Sequence, residues 1–312
     1  MLYLLYRFPT ILSLIKRLSP GIVILEGASW AVYYLFFFYL MKLITRKIKI
    51  IYHAHNVEHV LREKKNNAFI AFITKWAEGI LMTRVDFATA VSNIDSQIFK
   101  RSYGIRPYVL PNGVDTEIFS GIRNDQIHKI KIKYHIQGNL ILFMGLTTFK
   151  PNREAINFLV CDVFPKVIAR FPQAKLAIIG GLISYKMPWL INPGCIPFEE
   201  VPIFIKAADI CVAPIFSGSG TRLKILEYMA ARKPTVATTK GAEGLAVEDG
   251  QNIIIADTAN KFVEKILYLL NNPGLAKKIA ILGEKTVQRS YSWEIILNDF
   301  SKKLEEMTST SS

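Results

Sequence analysis

The sequence predicts an α/β protein made of two doubly wound, Rossmann-like halves. Short apolar strands alternate with helical patterns along most of the 312 residues, and this alternation restarts after a polar segment in the middle of the chain. Runs such as "NLILFMG" and "DICVAPI" end in glycine-rich or polar loops. Strand–helix alternation of this kind predicts parallel sheets covered by helices. The length is sufficient for two domains, each with its own core.

The first half is predicted to contain four strands joined by helices. The strands are "GIVILEG", "IKIIYHAH", "DFATAVS" and "RPYVLPNGV", and the last of them runs into an Asn112-Gly113 turn. One helix is predicted over 30–44. A second covers 93–104, where Gly104 is expected to end it.

The second half repeats the pattern. Its predicted strands are "NLILFMG", "AKLAIIGG", "DICVAPI", "KPTVATT" and "NIIIA". Helices are expected over 153–170, over "VPIFIKAA" and from the loop that follows "DICVAPI". The stretch that contains Pro188, Pro193 and Pro197 is expected to be irregular, and the chain after "NIIIA" to be helical with a break near "YSW".

The polar segment in the middle of the chain carries no clear strand and is predicted to link the two domains. The expected organisation is a first domain over 1–115, a linker over 116–138, a second domain over 139–290, a C-terminal helix over 291–306 that packs back on the first domain, and a loose tail over 307–312.

The net charge of +14 is concentrated in the first third of the chain. Residues 1–111 carry 15 Lys/Arg against 6 Asp/Glu, whereas the remaining residues carry 24 against 19. The basic groups are small and lack interleaved aromatic residues, so nucleic-acid binding is not predicted. A basic surface that faces anionic lipid headgroups or an anionic substrate fits this pattern.

The aromatic run over 30–44 is too short to cross a membrane. Its uninterrupted apolar part covers 31–41, against the roughly 20 residues that a span requires. The run is interpreted as a buried helix between two strands, and the alternative is a helix that dips one face into a membrane. No secretory signal is recognised, because Arg7, Lys16 and Arg17 interrupt the N-terminal apolar stretch.

The three cysteines indicate neither a disulfide framework nor a zinc site. Cys161, Cys195 and Cys211 are odd in number, and they form no CxxC pair. A reducing cytosol is the expected location.

The segment "FSGSGTRLKILEYMA" combines a Gly/Ser loop with the start of a helix. The backbone amides of 218–221 precede this helix, where free N–H groups and the helix dipole favour an anion. Arg222 and Lys224 add positive charge, and Glu227 can accept hydrogen bonds from a sugar diol. An amphipathic helix capped by Ser219 or Thr221 explains the same residues.

The longer segment "GSGTRLKILEYMAARKPTVATTKGAEGL" resembles the signature of retaining GT-B glycosyltransferases of group 1, family 4. Supporting segments occur in the family's order between about Pro20 and Phe300: "HAHNVEH", "AVSN", "VLPNGVDTEIF", "FMGLTTFKPNREAINFL", "IIGG", "AADICVAPI" and "YSWE". The resemblance implies a GT-B fold of two Rossmann-like domains, with a nucleotide-sugar donor held mostly by the second domain in the cleft between them.

The resemblance also implies roles for individual residues. Glu227 would bind the ribose, the loop before it would face the diphosphate, and His55 would border the donor sugar. His55 and Glu227 are the expected catalytic residues. His53 is expected on the opposite face of its strand and is the weaker candidate. The residues expected at the donor are Gly145, Lys150, Gly218, Ser219, Gly220, Thr221, Arg222, Lys224, Glu227 and Glu243.

The sequence departs from the family pattern at three places. Ser219 stands where an earlier glutamate of the family contacts the donor sugar. Leu146, instead of an arginine, follows Gly145, which leaves Lys150 as an approximate counterpart of the family's basic residues. The chain begins one helix before its first strand, so the N-terminal, acceptor-side domain is expected to be shortened. A divergent short form, a truncated reading frame, and half of a split enzyme completed by a partner subunit are the alternatives.

The function implied is transfer of a sugar, with retention of anomeric configuration, from a UDP- or GDP-sugar to a glycan or lipid-linked acceptor. No cofactor is expected, and the absence of any D-x-D triplet predicts that no metal is used. The expected location is the cytoplasm, at the inner membrane face. An inactive nucleotide-sugar-binding or scaffold subunit of a split glycosyltransferase and a sugar-nucleotide epimerase on the same fold are the alternatives.

Overall fold

A computed structural model describes residues 7–27, 31–44, 47–63, 68–218 and 220–309. The chain divides into two compact units, Met1–Pro111 and Asn112–Ser312. Each unit is built on one parallel β-sheet flanked by helices. The structure therefore confirms the α/β class with two Rossmann-like domains.

The first unit contains a four-stranded sheet in the order β1-β2-β3-β4. Its elements are α1 (Phe8–Leu18), β1 (Ile22–Glu26), α2 (Ala31–Ile44), β2 (Lys49–Ala54), α3 (Glu58–Glu63), α4 (Ala68–Arg84), β3 (Phe87–Ala90), α5 (Asn93–Tyr103) and β4 (Tyr108–Val109). α5 starts at Ser92, whose side chain accepts a hydrogen bond from the Asp95 N–H, and ends at Gly104 in the left-handed conformation.

The aromatic run is a helix, as predicted, but only one side of it is buried. In α2, Leu35, Phe38 and Met41 lie in the core of the first unit, whereas Phe36 and Leu43 are exposed. The helical period of 3.6 residues places the buried and the exposed residues on opposite sides of α2, and both sides are apolar. Trp30 lies outside the described residues. Within the described ranges, no helix has both the length and the apolar character needed to cross a membrane.

The second unit contains a six-stranded sheet in the order β10-β9-β8-β5-β6-β7. Its strands are β5 (Leu140–Met144), β6 (Lys175–Ile179), β7 (Leu190–Gly194), β8 (Ile210–Ala213), β9 (Thr235–Ala237) and β10 (Ile254–Ile255). Its α-helices are α6 (Asn124–Lys133), α7 (Lys150–Asn157), α8 (Phe164–Ile168), α9 (Val201–Ala207), α10 (Leu223–Ala230), α11 (Ala259–Asn271), α12 (Pro273–Ser290) and α13 (Trp293–Ser309). A π-helical segment, Phe158–Val163, joins α7 to α8.

β5 lies in the middle of this sheet and packs against core on both faces. Leu140 and Leu142 belong to one buried apolar cluster, and Ile141 and Phe143 belong to the other. The period of two along a strand produces this division.

Two expectations about the second unit differ from the structure. The segment expected as a linker lies inside this unit, because its sparse apolar residues Phe119, Ile130 and Ile136 are buried in the core. The stretch expected to be irregular contains β7. Its Pro193 is tolerated because β7 is an edge strand, where a missing N–H breaks no ladder.

Candidate functional site

The candidate site of the second unit lies beside β5, where the strand order of the parallel sheet changes direction. β5 pairs with β6 on one side and with β8 on the other. The loop that begins at Gly145 and the loop over 214–222 therefore leave the sheet at the same edge, on either side of this reversal. Open α/β sheets bind ligands at such switch points.

Lys224 points its ammonium group to this edge. Its Nζ donates a hydrogen bond to Asn152 Oδ1 at 2.8 Å and lies 4.3 Å from the centre of the Phe143 ring. The other side-chain atom of Asn152, Nδ2, donates to the Leu146 carbonyl at 2.9 Å. Lys224 on α10 is thus held by α7 and by the end of β5.

Gly145 is required for this arrangement. A Cβ at position 145 would lie 2.7 Å from Lys224 Nζ and 2.7 Å from Asn152 Nδ2. Both distances are shorter than side chains tolerate. Only glycine leaves room for the lysine and the asparagine to meet above the end of the strand.

Burial shifts the pKa values of both charged groups in this part of α10. Desolvation, together with the positive charge of Arg222, lowers the pKa of Lys224 to about 7, although the Glu227 carboxylate acts in the opposite direction. Desolvation raises the pKa of Glu227, and Lys224 opposes that shift. Both side chains are half-buried. An anion bound beside Lys224 would restore the charged state of its ammonium group.

Arg222 is held inside the loop that leads into α10. Its Nη2 donates to the Ser217 carbonyl at 3.2 Å, and Gly218 and Gly220 beside it adopt left-handed conformations. Desolvation lowers the pKa of Arg222, while the Glu243 carboxylate acts to raise it. The folded-back loop therefore places a second, partly dehydrated cation on the same helix end as Lys224.

This loop is tied to α7 by a residue that the sequence analysis did not identify. Ser217 Oγ donates to Glu154 Oε2 at 2.6 Å, and Lys150 Nζ lies 3.8 Å from Glu154 Oε1. Lys150 is exposed and belongs to the first turn of α7. The available signal for Glu154 was its spacing of four from Lys150, which is typical of a helical ion pair, but the predicted helix began only at 153. Asn152, the partner of Lys224, carried no such signal.

The start of α10 differs from the expectation. The helix begins at Leu223, and Arg222 is its N-cap without a side-chain capping bond. Neither of the two caps that the alternative interpretation required, Ser219 or Thr221, holds that position. Thr221 is half-buried two residues before the helix, and Ser219 lies outside the described residues.

Glu243 is exposed and forms an ion pair with Lys240. Its effect on the pKa of Arg222 places it near the same helix end as the other candidates. Its predicted role at the donor stays a prediction.

In the first unit, His55 follows β2 and is paired with the residue that ends β1. His55 Nε2 lies 2.7 Å from Glu26 Oε2, and both side chains are exposed. His53 Nδ1 lies 2.6 Å from the hydroxyl of buried Thr89. The expectation that His53 and His55 lie on opposite faces is wrong: their ring centroids are 4.8 Å apart, because residues two apart on a strand share a face.

Glu26, His53 and His55 also form a set of potential metal ligands. One ligand atom from each lies within 4.8 Å of the others. Two imidazoles and one carboxylate suit zinc and related transition metals. The expectation that the site residues use no metal stays a prediction.

Two protein families match this chain, one in each half. Residues 1–118 match the family described as "Glycosyltransferase Family 4", and residues 138–272 match "Glycosyl transferases group 1". The second match contains β5, the switch point and α10.

Among characterised relatives, the chain is 25% identical over 234 residues to the phosphatidyl-myo-inositol mannosyltransferase of Mycobacterium tuberculosis. The alignment covers 69% of this chain and 58% of the relative. The chain thus matches little more than half the length of that protein.

Solved glycosyltransferase structures share the fold. A glycosyltransferase from Rickettsia africae superimposes with a TM-score of 0.72 at 18% identity, covering 97% of this chain and 81% of the other. Anabaena HepE, solved with UDP and glucose, gives 0.75 at 14% identity, with 95% and 81% covered.

The fold is that of GT-B glycosyltransferases, and both halves of the chain are similar to glycosyltransferase domains. The first half matches the family 4 domain and the second half matches the group 1 domain.

Proposed function

We propose that this protein transfers a sugar from a nucleotide-diphosphate sugar to an acceptor hydroxyl, with retention of anomeric configuration. The observation that carries the proposal is the Lys224 ammonium group, held 2.8 Å from Asn152 Oδ1 at the switch point of a sheet in a group 1 domain. A cation whose pKa is lowered by burial favours an anionic ligand over water.

The donor's diphosphate is the anion that fits this position. Arg222 and Lys224 supply two positive charges, and Gly218, Gly220 and Thr221 supply backbone amides beside them. As the glycosidic bond breaks, negative charge grows on the leaving diphosphate. Preorganised cations in a partly dehydrated site stabilise that charge without reorganisation, so the protein needs no metal for this step.

Glu227 is proposed to bind the ribose of the donor. It lies one turn after Lys224 on α10 and is half-buried, so its carboxylate can accept hydrogen bonds from both hydroxyls of a diol. In the first unit, His55 is proposed to act on the transferred sugar, with Glu26 holding its imidazole in position.

In the proposed reaction, the bond between the anomeric carbon and the diphosphate oxygen breaks, and the nucleoside diphosphate leaves with the electron pair. The acceptor oxygen forms the new bond to the anomeric carbon on the same face. Its proton passes to the leaving diphosphate. Retention is supported by the resemblance to retaining enzymes of family 4.

The proposed acceptor is a glycan or a lipid-linked molecule at the cytoplasmic face of the inner membrane. The basic excess in residues 1–111 supports this location, since anionic headgroups line that surface.

The test is to measure ligand binding and product formation with UDP-, GDP- and ADP-sugars. Binding is measured by thermal stabilisation, which follows mass action. Lys224→Ala should weaken nucleoside-diphosphate binding about tenfold or more, the effect of losing a hydrogen bond to a charged group. Lys206→Ala is the matched control, because burial also lowers the pKa of Lys206 but the residue lies on α9.

Glu227→Ala should remove the preference for a ribose over a 2′-deoxyribose nucleotide. Full nucleotide affinity in both Lys224→Ala and Glu227→Ala would overturn the site. Nucleotide binding without turnover, together with co-purification of a second glycosyltransferase, would identify an inactive subunit instead. Isomerised donor would identify an epimerase, and inverted product would contradict retention.

A further inference from the structure

α2 presents a continuous apolar stripe on its exposed side. Its members, Val32, Phe36, Tyr39 and Leu43, recur at spacings of three and four, so they lie on one face of the helix. Phe36 is 54% exposed and Leu43 is 82% exposed. The opposite face already fills the core, so core packing does not account for this stripe.

α4 presents a second stripe of the same kind and packs against α2. Phe69, Phe72 and Trp76 are 74%, 70% and 58% exposed, and they too recur at spacings of three and four. We call the two stripes together the aromatic surface. Exposed apolar groups this dense are rare on soluble monomers and mark interaction sites.

Positive charges predominate around the aromatic surface, although Glu63, at the end of α3 beside α4, is exposed. The only carboxylate in α1, α2 and α4 is that of Glu78, which is fully buried. Lys75, exposed between Phe72 and Trp76, carries positive charge into the surface itself. Asp86, just beyond α4, lies 2.7 Å from the Lys42 ammonium group and so neutralises the charge of one lysine only. The surface therefore suits an anionic partner.

A pocket lies at the end of α2, beside the last turn of α1. Its volume is about 450 Å³, and its wall contains Ile44, the last residue of α2, together with Lys16 and Lys47. Ser19, in the left-handed conformation, closes the end of α1 beside it. Two lysines and a hydroxyl in a small cavity suit the phosphate of a lipid headgroup.

We infer that the aromatic surface binds an anionic lipid bilayer. Its rings enter the boundary between headgroups and acyl chains, where tryptophan and tyrosine are enriched, and its lysines contact lipid phosphates. A second copy of the chain is disfavoured as the partner, because two surfaces of the same positive sign would face each other. The inference deepens the proposed function by bringing the enzyme to a lipid-linked acceptor, although lipid binding itself does not require sugar transfer.

The experiment is flotation of the full chain with vesicles of phosphatidylcholine, alone or mixed with phosphatidylglycerol. The protein should float with the mixed vesicles and less with phosphatidylcholine alone. Phe72→Ser combined with Trp76→Ser should lower the bound fraction about tenfold or more, since it removes two interfacial anchors. Leu182→Ser with Phe198→Ser, two exposed apolar residues of the second unit, is the control and should float like the parent protein.

Lys75→Glu tests the charge separately and leaves the rings in place, so it keeps the test decisive if the double variant fails to fold. It should lower binding to the mixed vesicles only. Lys224→Ala should float normally while losing nucleotide affinity, which separates this inference from the proposed function. Absence of flotation, equal flotation of all variants, or a dimer that the aromatic substitutions convert to monomer would each overturn the inference.

Discussion

Lys224 on α10 and Asn152 on α7 meet across the switch point, with Nζ and Oδ1 2.8 Å apart. The two residues are 72 positions apart in the chain and follow different strands of the same sheet. Their hydrogen bond fixes a cation over the end of β5 before any ligand arrives. The first predictions test this arrangement.

Binding of a nucleoside diphosphate should depend on pH through Lys224. Its pKa of about 7 in the free protein means that the charged form is lost as pH rises above that value. A bound diphosphate favours the ammonium form, so the apparent Kd should stay flat below pH 7 and rise by up to about tenfold per pH unit above it. Isothermal titration calorimetry across this range measures the effect. Lys224→Arg should abolish the rise, and an unchanged pH profile in that variant would contradict the assignment.

Lys224 should also destabilise the unliganded protein at neutral pH. Its pKa falls from 10.5 in the unfolded chain to about 7 in the folded one, so the unfolded state binds more protons between these values. Stability should therefore rise with pH across that window. Lys224→Met should increase the free energy of unfolding below pH 7, and the gain should shrink towards pH 10.5. Urea unfolding at several pH values measures it, and a less stable variant would show that the Asn152 contact outweighs desolvation.

Gly145→Ala should displace Lys224 rather than break the sheet. The new methyl group would lie 2.7 Å from Lys224 Nζ, at the end of a side chain that can swing away, and 2.7 Å from Asn152 Nδ2. We expect a loss of about 1–3 kcal/mol in stability from overpacking and a loss of nucleotide affinity. Gly274→Ala, where no atom lies within 4 Å of the added carbon, is the control and should retain both. Normal affinity in Gly145→Ala would contradict the proposed crowding.

Tyr228→Phe should weaken the contact between α10 and β5. The Met144 N–H donates to the Tyr228 hydroxyl at 2.8 Å, and the Tyr228 side chain is fully buried. Removal of the hydroxyl leaves a backbone donor without its acceptor, at a cost of about 1–3 kcal/mol. Denaturant unfolding checks the value. Tyr268→Phe, which alters a half-exposed tyrosine on α11, should change stability little.

Glu26→Gln should lower the turnover rate without changing donor affinity. Glu26 Oε2 lies 2.7 Å from His55 Nε2, and the neutral amide holds and polarises the imidazole less well. We expect kcat to fall about tenfold or more, as for loss of a group that assists acid–base chemistry, with KM for the donor retained. Glu26→Asp should recover part of the rate. An equal loss in Glu26→Asp and Glu26→Gln together with a raised KM would indicate a structural role instead.

The sequence predicted most strands because buried parallel strands are short, continuous apolar runs. "NLILFMG" and "DICVAPI" were placed correctly, and Gly104 was identified as the end of α5. β7 was missed because Pro193 reads as a breaker unless the strand is known to lie at an edge. The segment over 116–138 was interpreted as a linker because it contains few apolar residues. These residues become buried when α6 packs against α9, a contact that the local sequence does not specify.

The candidate site was predictable only in part. Arg222, Lys224 and Glu227 were found because they lie within one short motif on a single helix. Asn152 and Glu154 were not found, since their partners Lys224 and Ser217 are more than sixty positions away. The rings of His53 and His55 lie side by side because residues two apart on a strand share a face. The strand period predicts this arrangement, so the prediction of opposite faces was wrong.

The sequence by itself determined the α/β class, the two Rossmann-like halves and the motif that ends in α10, because these depend on local periodicity and on residues close together in the chain. Only the tertiary structure decided that Asn152 holds Lys224, that Glu26 pairs with His55, and that one side of α2 joins α4 in an exposed aromatic surface. These features depend on which strands and helices become neighbours, and a one-dimensional pattern of apolar residues does not specify which apolar face stays uncovered.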